Sequence, residues 1–305
     1  METPTVDLAD LRFDELSGAP VLVTPGRQGR PNLPPDSCPF CVGGLEAPEP
    51  YTTRAFPNRW PPLGTGRAEI LLYTPDHDAS LWQLGRQGVA RVVDLWADRT
   101  AALGRRDDVD YVLVFENRGA EVGATIAHPH GQVYGLDVIA DAALGELRRA
   151  ARHGCALCRR PRRELVVAES DGWTAWVPHA SAYPYGLLLA PDVHRPDLPT
   201  LDGPQRDGLA ALLVDVLGRF DGLFEGPLPY MCWIHQRPTD GADWPESHVH
   251  LHLVSPLRAP GVLRHVAAGE LGSGLYLNPV RPEDAAATLR AAVPPAVTRQ
   301  APGHA

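Results

Sequence analysis

The sequence predicts an α+β fold built from two related halves, residues 1–150 and residues 151–305. Short apolar segments typical of β-strands alternate with longer amphipathic segments typical of α-helices. Each half also contains a Cys-x-x-Cys pair, and the same interval separates Cys41 from His77 and Cys158 from His194. Landmarks that recur in the same order and at matched spacing indicate a duplicated structural unit.

The first half is predicted to contain three strands and two helices. Residues 68–73 (AEILLY) and 111–115 (YVLVF) are continuous apolar runs, as in buried strands, and a short strand is expected at 133–134. Apolar residues recur with the helical period over 80–104, and residues 141–152 are also expected to be helical. The polar, glycine-containing segment 116–123 is expected to be a loop.

The second half repeats this plan, with strands expected at 173–177, 186–190 and 230–235 and an amphipathic helix at 205–220. Histidine alternates with apolar residues in HVHLHLV at 248–254, which is the period-two pattern of a strand with one polar face. That polar face suits an exposed strand, a metal site or a catalytic site, and the pattern alone leaves these three open.

Composition narrows the functional class. The 305 residues carry a net charge of −9, which argues against a nucleic-acid binder with its usual basic patch. No apolar run reaches the roughly 18 residues that a membrane-spanning helix needs. The acidic N-terminus lacks the pattern of a signal peptide, so a cytoplasmic protein is expected. In a reducing compartment, Cys-x-x-Cys pairs indicate metal or redox sites more often than disulfides.

The cysteine pairs predict two metal sites. Each pair supplies two thiolates from one tight turn, and two histidines would complete a tetrahedral Cys2His2 shell. The alternative is buried free cysteines beside unrelated histidines, but the matched spacing favours metal. Four protein ligands leave no open position, so both sites are expected to be structural. The predicted sets are Cys38, Cys41, His77 and His128 in the first half, and Cys155, Cys158, His194 and His248 in the second.

The run HPHGQ at residues 128–132 is the strongest catalytic candidate. On a strand, His128 and His130 would face the same side, so a metal-held His128 would fix His130 nearby. An imidazole can attack phosphorus and later leave as a neutral group, which splits one transfer into two steps. Gln132 points the same way and could bond a phosphate oxygen. The alternative is that both histidines are simply metal ligands.

Cys-x-x-Cys, PDH, ENRG and HPHGQ in this order resemble the galactose-1-phosphate uridylyltransferase family, a branch of the histidine-triad superfamily. The resemblance covers residues 21–290. It implies two histidine-triad-like halves, each an antiparallel sheet with helices packed on one face. It also implies a double displacement that moves UMP from UDP-glucose to galactose 1-phosphate or a related hexose 1-phosphate. The expected partners are an NDP-sugar, a hexose 1-phosphate and a second copy of the chain.

The resemblance also implies individual roles. It places the nucleophile at His130, with Gln132 stabilising the nucleotidyl intermediate, and zinc at the first Cys2His2 set. Phosphate contacts fall on Arg27, Arg30, Asn117 and Thr125, the nucleoside contact on Asn58, and the sugar contact on Glu270.

The chain departs from parts of the family pattern. Some members bind iron through a glutamate and three histidines, and Glu146, His235, His250 and His252 fall at similar positions. The second Cys2His2 set instead resembles the two-zinc members, which include a plant-type ADP-glucose phosphorylase, so two zinc ions are expected rather than iron. The alternative functions are an ADP-sugar phosphorylase or adenylyltransferase and a non-catalytic nucleotide-binding zinc protein. The identities of the base and the sugar stay open.

Overall fold

The computed structural model describes residues 10–27, 38–64 and 66–296. An N-terminal hairpin is formed by β1 (Asp10–Phe13) and β2 (Pro20–Val23). None of the helices in these ranges combines the length and the apolar character that crossing a membrane requires.

The first half has the predicted elements and three further strands, β1 and β2 of the hairpin and β3. Its elements are β3 (Arg54–Pro57), β4 (Ala68–Leu72), α1 (Gly85–Leu103), β5 (Tyr111–Arg118), β6 (His130–Leu136) and α2 (Asp141–His153). The prediction of a loop from residue 116 was wrong for residues 116–118. These residues extend β5 because they pair with residues 230–232 of the second half, a long-range contact that local composition does not report.

The second half carries the remaining elements. They are β7 (Val166–Ser170), β8 (Trp173–Trp176), β9 (Tyr185–Pro191), α3 (Gly203–Asp221), β10 (Tyr230–His235), β11 (His250–Ser255), β12 (Leu257–Ala259), β13 (Val262–Leu263), α4 (Ala268–Ser273) and α5 (Pro282–Ala291). Helix α3 begins where it does because the Asp202 carboxylate accepts a hydrogen bond from the Gln205 amide at 2.9 Å and caps the first turn.

Strands from both halves form one antiparallel sheet in the order β3-β4-β6-β5-β10-β11-β9-β8-β7. Each half therefore contributes an antiparallel sheet, as expected, and the two sheets join edge to edge through β5 and β10. Outward from this seam the order is β6, β4, β3 on one side and β11, β9, β8 on the other. This mirrored order matches the duplication that the spacing predicts.

The two faces of the sheet have different roles. Helices α1, α3 and α5 pack on one face and enclose the main hydrophobic core. On β11, Leu251 and Leu253 point into this core, so His250 and His252 point to the opposite face. Helix α2 lies against that opposite face, where Glu146 contacts these histidines. The expectation that helices cover one face holds for α1, α3 and α5, and α2 is the exception.

A buried ion pair ties the end of β5 to α3. The Arg118 guanidinium donates to Asp221 at 2.7 and 3.1 Å. The same carboxylate accepts hydrogen bonds from the Trp82 indole at 2.7 Å and from the Leu228 amide at 3.1 Å. The Asp221 side chain is 5% exposed, so these four donors replace the water that it loses on folding.

We expect Asp221→Ala to lower the free energy of unfolding by about 3–5 kcal/mol, because it leaves the partly buried Arg118 charge with a neutral acceptor, the Ser80 hydroxyl, in place of its carboxylate. Urea unfolding at neutral pH measures this loss. Glu169→Ala is the control, since its pair with Arg160 is exposed and should contribute less than about 1 kcal/mol. Equal losses in the two variants would contradict the expectation.

Candidate functional site

The first predicted Cys2His2 set is assembled. The ligand atoms of Cys38, Cys41, His77 and His128 lie within 4.8 Å of one another. The Cys41 sulfur is 3.4 Å from His77 Nδ1 and 3.6 Å from His128 Nδ1. With zinc's usual bond lengths, sulfur and nitrogen ligands of a tetrahedral ion lie roughly 3.5 Å apart. The set therefore fits a tetrahedral metal ion.

Contacts outside the cluster prepare His128 as a ligand. Its Nε2 atom lies 2.8 Å from the Thr74 carbonyl oxygen and 2.9 Å from the Tyr51 hydroxyl. A carbonyl oxygen only accepts, so Nε2 carries the proton and Nδ1 presents its lone pair to Cys41. Burial lowers the pKa of His128, which keeps the ring neutral as a ligand must be.

The second Cys2His2 set repeats this geometry. The Cys155 sulfur is 3.4 Å from His248 Nδ1, and the Cys158 sulfur is 3.2 Å from His194 Nδ1. His248 Nε2 lies 3.1 Å from the Pro191 carbonyl oxygen, so Nδ1 again carries the lone pair. Burial lowers the pKa of His248 to about 4. The arrangement fits a second metal ion with the same ligand chemistry.

Glu146, His235, His250 and His252 form a third cluster, with ligand atoms within 4.8 Å of one another. Glu146 Oε2 is 2.8 Å from His235 Nδ1 and 3.2 Å from His250 Nε2. Burial opposes ionisation of Glu146, but hydrogen bonds from the three histidines outweigh it and hold its pKa well below the usual range. The sequence presented this set and the second Cys2His2 set as alternatives, whereas the fold assembles both.

His130 opens strand β6 beside the first cluster. Its Nδ1 atom lies 2.8 Å from the His128 carbonyl oxygen. Because that oxygen only accepts, Nδ1 carries the proton and the lone pair is on Nε2. The Phe40 ring packs edge-on against the imidazole with 5.0 Å between the ring centres. These contacts fix both the orientation and the tautomer of the ring.

Gln132 and Asn117 lie on the same side of the sheet as His130. Gln132 follows His130 by two residues on β6 and pairs with Phe115 of β5. Continued along the antiparallel strands, this register brings Asn117 opposite His130. The Tyr134 hydroxyl donates to Gln132 Oε1 at 3.4 Å. Thr125 lies between a 3₁₀ turn (Ala120–Val122) and β6, on the segment that leads into His130.

Arg27 and Asn58, two of the other predicted substrate contacts, both hydrogen-bond to the backbone of Trp60. The Arg27 guanidinium donates to the Trp60 carbonyl oxygen at 2.7 Å, and Asn58 Oδ1 accepts from the Trp60 amide at 2.9 Å. They therefore order the segment that follows β3. Arg30 lies outside the described residues.

Glu270, the predicted sugar contact, is 4% exposed and bonded within its own segment. It accepts hydrogen bonds from the Leu277 amide at 2.8 Å and the Ala267 amide at 2.9 Å, and it pairs with Arg264. The two backbone hydrogen bonds lower the pKa of its carboxyl group. Its contacts thus close the loop around α4, and its sugar role stays a proposal.

Phe40 and Tyr51 are site residues that sequence reasoning missed. The Tyr51 hydroxyl reaches the Phe40 carbonyl oxygen at 2.7 Å as well as His128. Phe40 lies inside the first Cys-x-x-Cys pair, which placed it near the predicted metal site, but nothing in the sequence linked its ring to His130. For Tyr51 the sequence offered no signal, because its partners are 11 and 77 residues away.

Two family models match the chain. The galactose-1-phosphate uridyl transferase N-terminal domain matches residues 60–140, and the C-terminal domain of the same enzyme matches residues 152–298. The chain belongs to the galactose-1-phosphate uridylyltransferase family. The first match contains HPHGQ and the second contains the HVHLHLV strand.

Named members of this family match over nearly the whole chain. A galactose-1-phosphate uridylyltransferase from Streptomyces lividans is 35% identical over 94% of this chain and 88% of its own length. One from Thermotoga maritima is 32% identical over 93% of this chain and 98% of its own length.

Solved structures agree with this assignment. A uridylyltransferase structure superposes with a TM-score of 0.84 at 27% identity, covering 92% of this chain and 97% of that one. The structure of an ADP-glucose phosphorylase from Arabidopsis thaliana with bound ADP-glucose superposes with a TM-score of 0.75 at 26% identity, covering 92% of this chain and 98% of that one.

We expect Cys41→Ser to carry one metal ion per chain fewer than the wild type and to unfold at a lower temperature, because metal binding contributes to folding. Burial and the neighbouring Cys38 raise the pKa of the Cys41 thiol to about 11. Metal must displace that proton, so binding should weaken as the pH falls.

Elemental analysis and thermal unfolding of the purified variants measure these effects. Cys232→Ser is the matched control, since Cys232 is a buried cysteine outside the three clusters. The assignment fails if Cys41→Ser keeps its full metal content or if Cys232→Ser loses as much.

Proposed function

We propose that the chain is a nucleotidyltransferase that moves UMP from UDP-glucose to galactose 1-phosphate through a covalent intermediate on His130. The observation that supports this most directly is the bond from His130 Nδ1 to the His128 carbonyl oxygen, which leaves the lone pair on Nε2. Membership of the galactose-1-phosphate uridylyltransferase family supports the choice of substrates.

In the first step, His130 Nε2 attacks the α-phosphorus of UDP-glucose. The bond from that phosphorus to the bridging oxygen breaks, and glucose 1-phosphate leaves with the electron pair. UMP is then joined to His130 through a nitrogen–phosphorus bond. The Nδ1–H bond to the His128 carbonyl oxygen stabilises the positive charge on the ring, and the Gln132 amide donates to a phosphate oxygen.

In the second step, a phosphate oxygen of galactose 1-phosphate attacks the same phosphorus. The nitrogen–phosphorus bond breaks, UDP-galactose forms, and the electron pair returns to His130 Nε2. Because glucose 1-phosphate leaves before the second sugar phosphate reacts, the kinetics should be ping-pong. Arg27, Arg30, Asn117 and Thr125 are proposed to hold phosphates, Asn58 the nucleoside, and the loop closed by Glu270 the hexose.

We also propose zinc in both Cys2His2 clusters, because thiolate and imidazole ligands in a closed tetrahedral set suit this ion. Zinc in the first cluster would hold His128 and so keep its carbonyl oxygen in place for His130. Iron at the cluster of Glu146, His235, His250 and His252 is the alternative. Elemental analysis that found stoichiometric iron, lost in Glu146→Gln, would establish it.

The two halves of the chain are proposed to have different roles in the reaction. Residues 1–150 are proposed to carry the nucleotidyl transfer, and residues 151–305 to supply the second metal site and the hexose loop. We expect the protein to act as a homodimer in the cytoplasm. An ADP-sugar phosphorylase with orthophosphate as acceptor is the second candidate, supported by the likeness to the Arabidopsis thaliana enzyme and by the assembled second Cys2His2 cluster.

We expect His130→Ala to lose transfer by at least about a thousandfold, because removal of a covalent nucleophile costs several orders of magnitude. The wild type should retain label from UDP-glucose carrying a radioactive α-phosphate, and the variant should not. His179→Ala is the control, since His179 is an exposed histidine outside the site.

The same assay tests the substrate. Labelling by UDP-glucose, followed by release of the label as UDP-galactose on addition of galactose 1-phosphate, is the expected result. Labelling by ADP-glucose alone, with release by orthophosphate, would favour the phosphorylase. Absence of label from any NDP-sugar would favour a non-catalytic binding protein.

A further inference from the structure

Gly131 lies between His130 and Gln132 and faces the core side of the sheet. A side chain at this position would overlap the Tyr73 hydroxyl oxygen, and its first carbon would lie 2.9 Å from Tyr73 Cζ. Contacts this short are not found between real side chains. Residue 131 must therefore be glycine for as long as the Tyr73 ring keeps its place.

The Tyr73 ring is held firmly in that place. It is 2% exposed, and its hydroxyl accepts a hydrogen bond from the Trp96 indole at 3.2 Å. The Glu116 carboxyl group faces this hydroxyl and raises its pKa, and it accepts a hydrogen bond from the Tyr230 hydroxyl at 2.7 Å. Burial raises the pKa of Glu116 to about 7, so the group is partly protonated at neutral pH. A neutral carboxyl group suits this buried site.

The backbone of Tyr73 makes a second contact with the same strand. Its amide donates to the Pro129 carbonyl oxygen at 3.4 Å. Tyr73 therefore meets the chain at residues 129 and 131, on either side of His130. The next residue, Thr74, accepts the hydrogen bond from His128 Nε2.

The second half offers an internal comparison. His250 matches His130 in its bond to the carbonyl oxygen two residues before it. The position that matches Gly131 is Leu251, which is fully buried. Tyr73 is matched by Pro191 in the strand register and by Ala190 when the carbonyl acceptors of His128 and His248 are aligned. The combination of glycine and tyrosine thus occurs in the half that carries the proposed nucleophile.

We propose that Tyr73, Gly131 and Glu116 position His130 for attack. This inference rests on the proposed nucleotidyl transfer. Tyr73 limits how closely β6 can approach β4 at Gly131 and hydrogen-bonds to the chain at Pro129. Its hydroxyl is held by the Trp96 indole and faces Glu116. Such a role matters because a displacement of about 1 Å at a reacting group can cost about a hundredfold in rate.

The test uses Gly131→Ala in the full-length, metal-loaded protein. Gly135→Ala is the matched control, because Gly135 lies on the same strand and face and its new methyl group would meet a side chain, Val109, at 2.8 Å. We expect Gly131→Ala to slow single-turnover UMP transfer about a hundredfold with little change in KM for UDP-glucose. The control should transfer at close to the wild-type rate.

Two further variants separate positioning from general damage. Tyr73→Leu combined with Gly131→Ala removes the overlapping ring and should recover at least about a tenth of the lost rate. Glu116→Gln keeps an acceptor for the Tyr73 hydroxyl and should transfer faster than Glu116→Ala. The nitrogen chemical shifts of the His130 ring should report the Nδ1–H tautomer in the wild type and in Gly135→Ala, and a mixture in Gly131→Ala.

The proposal is overturned if Gly131→Ala matches Gly135→Ala in both rate and tautomer, or if the double variant is no faster than Gly131→Ala. A wild type that forms no adduct with any NDP-sugar would overturn the proposed function instead. The ring chemical shifts would then still decide whether Gly131 and Tyr73 position His130.

Discussion

The hydrogen bond from the His130 imidazole to the His128 carbonyl oxygen connects the first metal cluster to the proposed nucleophile. His128 is held on both sides of its ring, by Cys41 at Nδ1 and by the Thr74 carbonyl oxygen at Nε2. Its backbone therefore has little freedom, and the carbonyl oxygen offers His130 a fixed acceptor. A Cys2His2 cluster can in this way set the tautomer of a neighbouring imidazole that is not one of its members.

The second half makes the same hydrogen bond and uses it differently. His250 donates to the His248 carbonyl oxygen at 2.8 Å, the distance found at His130. Its other nitrogen, however, faces Glu146 on α2. Where the first half has Gln132, an amide suited to a phosphate oxygen, the second half has His252, a further member of the third cluster. One backbone arrangement thus supports the proposed nucleophile in one half and a member of the third cluster in the other.

The seam between β5 and β10 determines which groups share the sheet. Pairing of the two strands extends β5 through Asn117 and brings the ENRG segment to the strand that starts at His130. At the same end, Arg118 anchors the seam to α3 through Asp221. On the core side, Glu116 links the seam to Tyr73 beneath Gly131. The joined sheet is therefore part of the support of the site.

The sequence alone determined the duplication, the main strands and helices, and both Cys2His2 sets, because these depend on local periodicity and on repeated spacing. It also singled out His130, since in HPHGQ this histidine follows a predicted metal ligand by two residues and so faces the same side of the strand. Only the tertiary structure decided that residues 116–118 are strand, that the Glu146 set and the second Cys2His2 set are both assembled, and that Glu270 bonds its own loop. Each of these depends on contacts between distant segments or on which hydrogen-bond donors surround a carboxylate. The local sequence pattern predicts neither the contacts nor the donors.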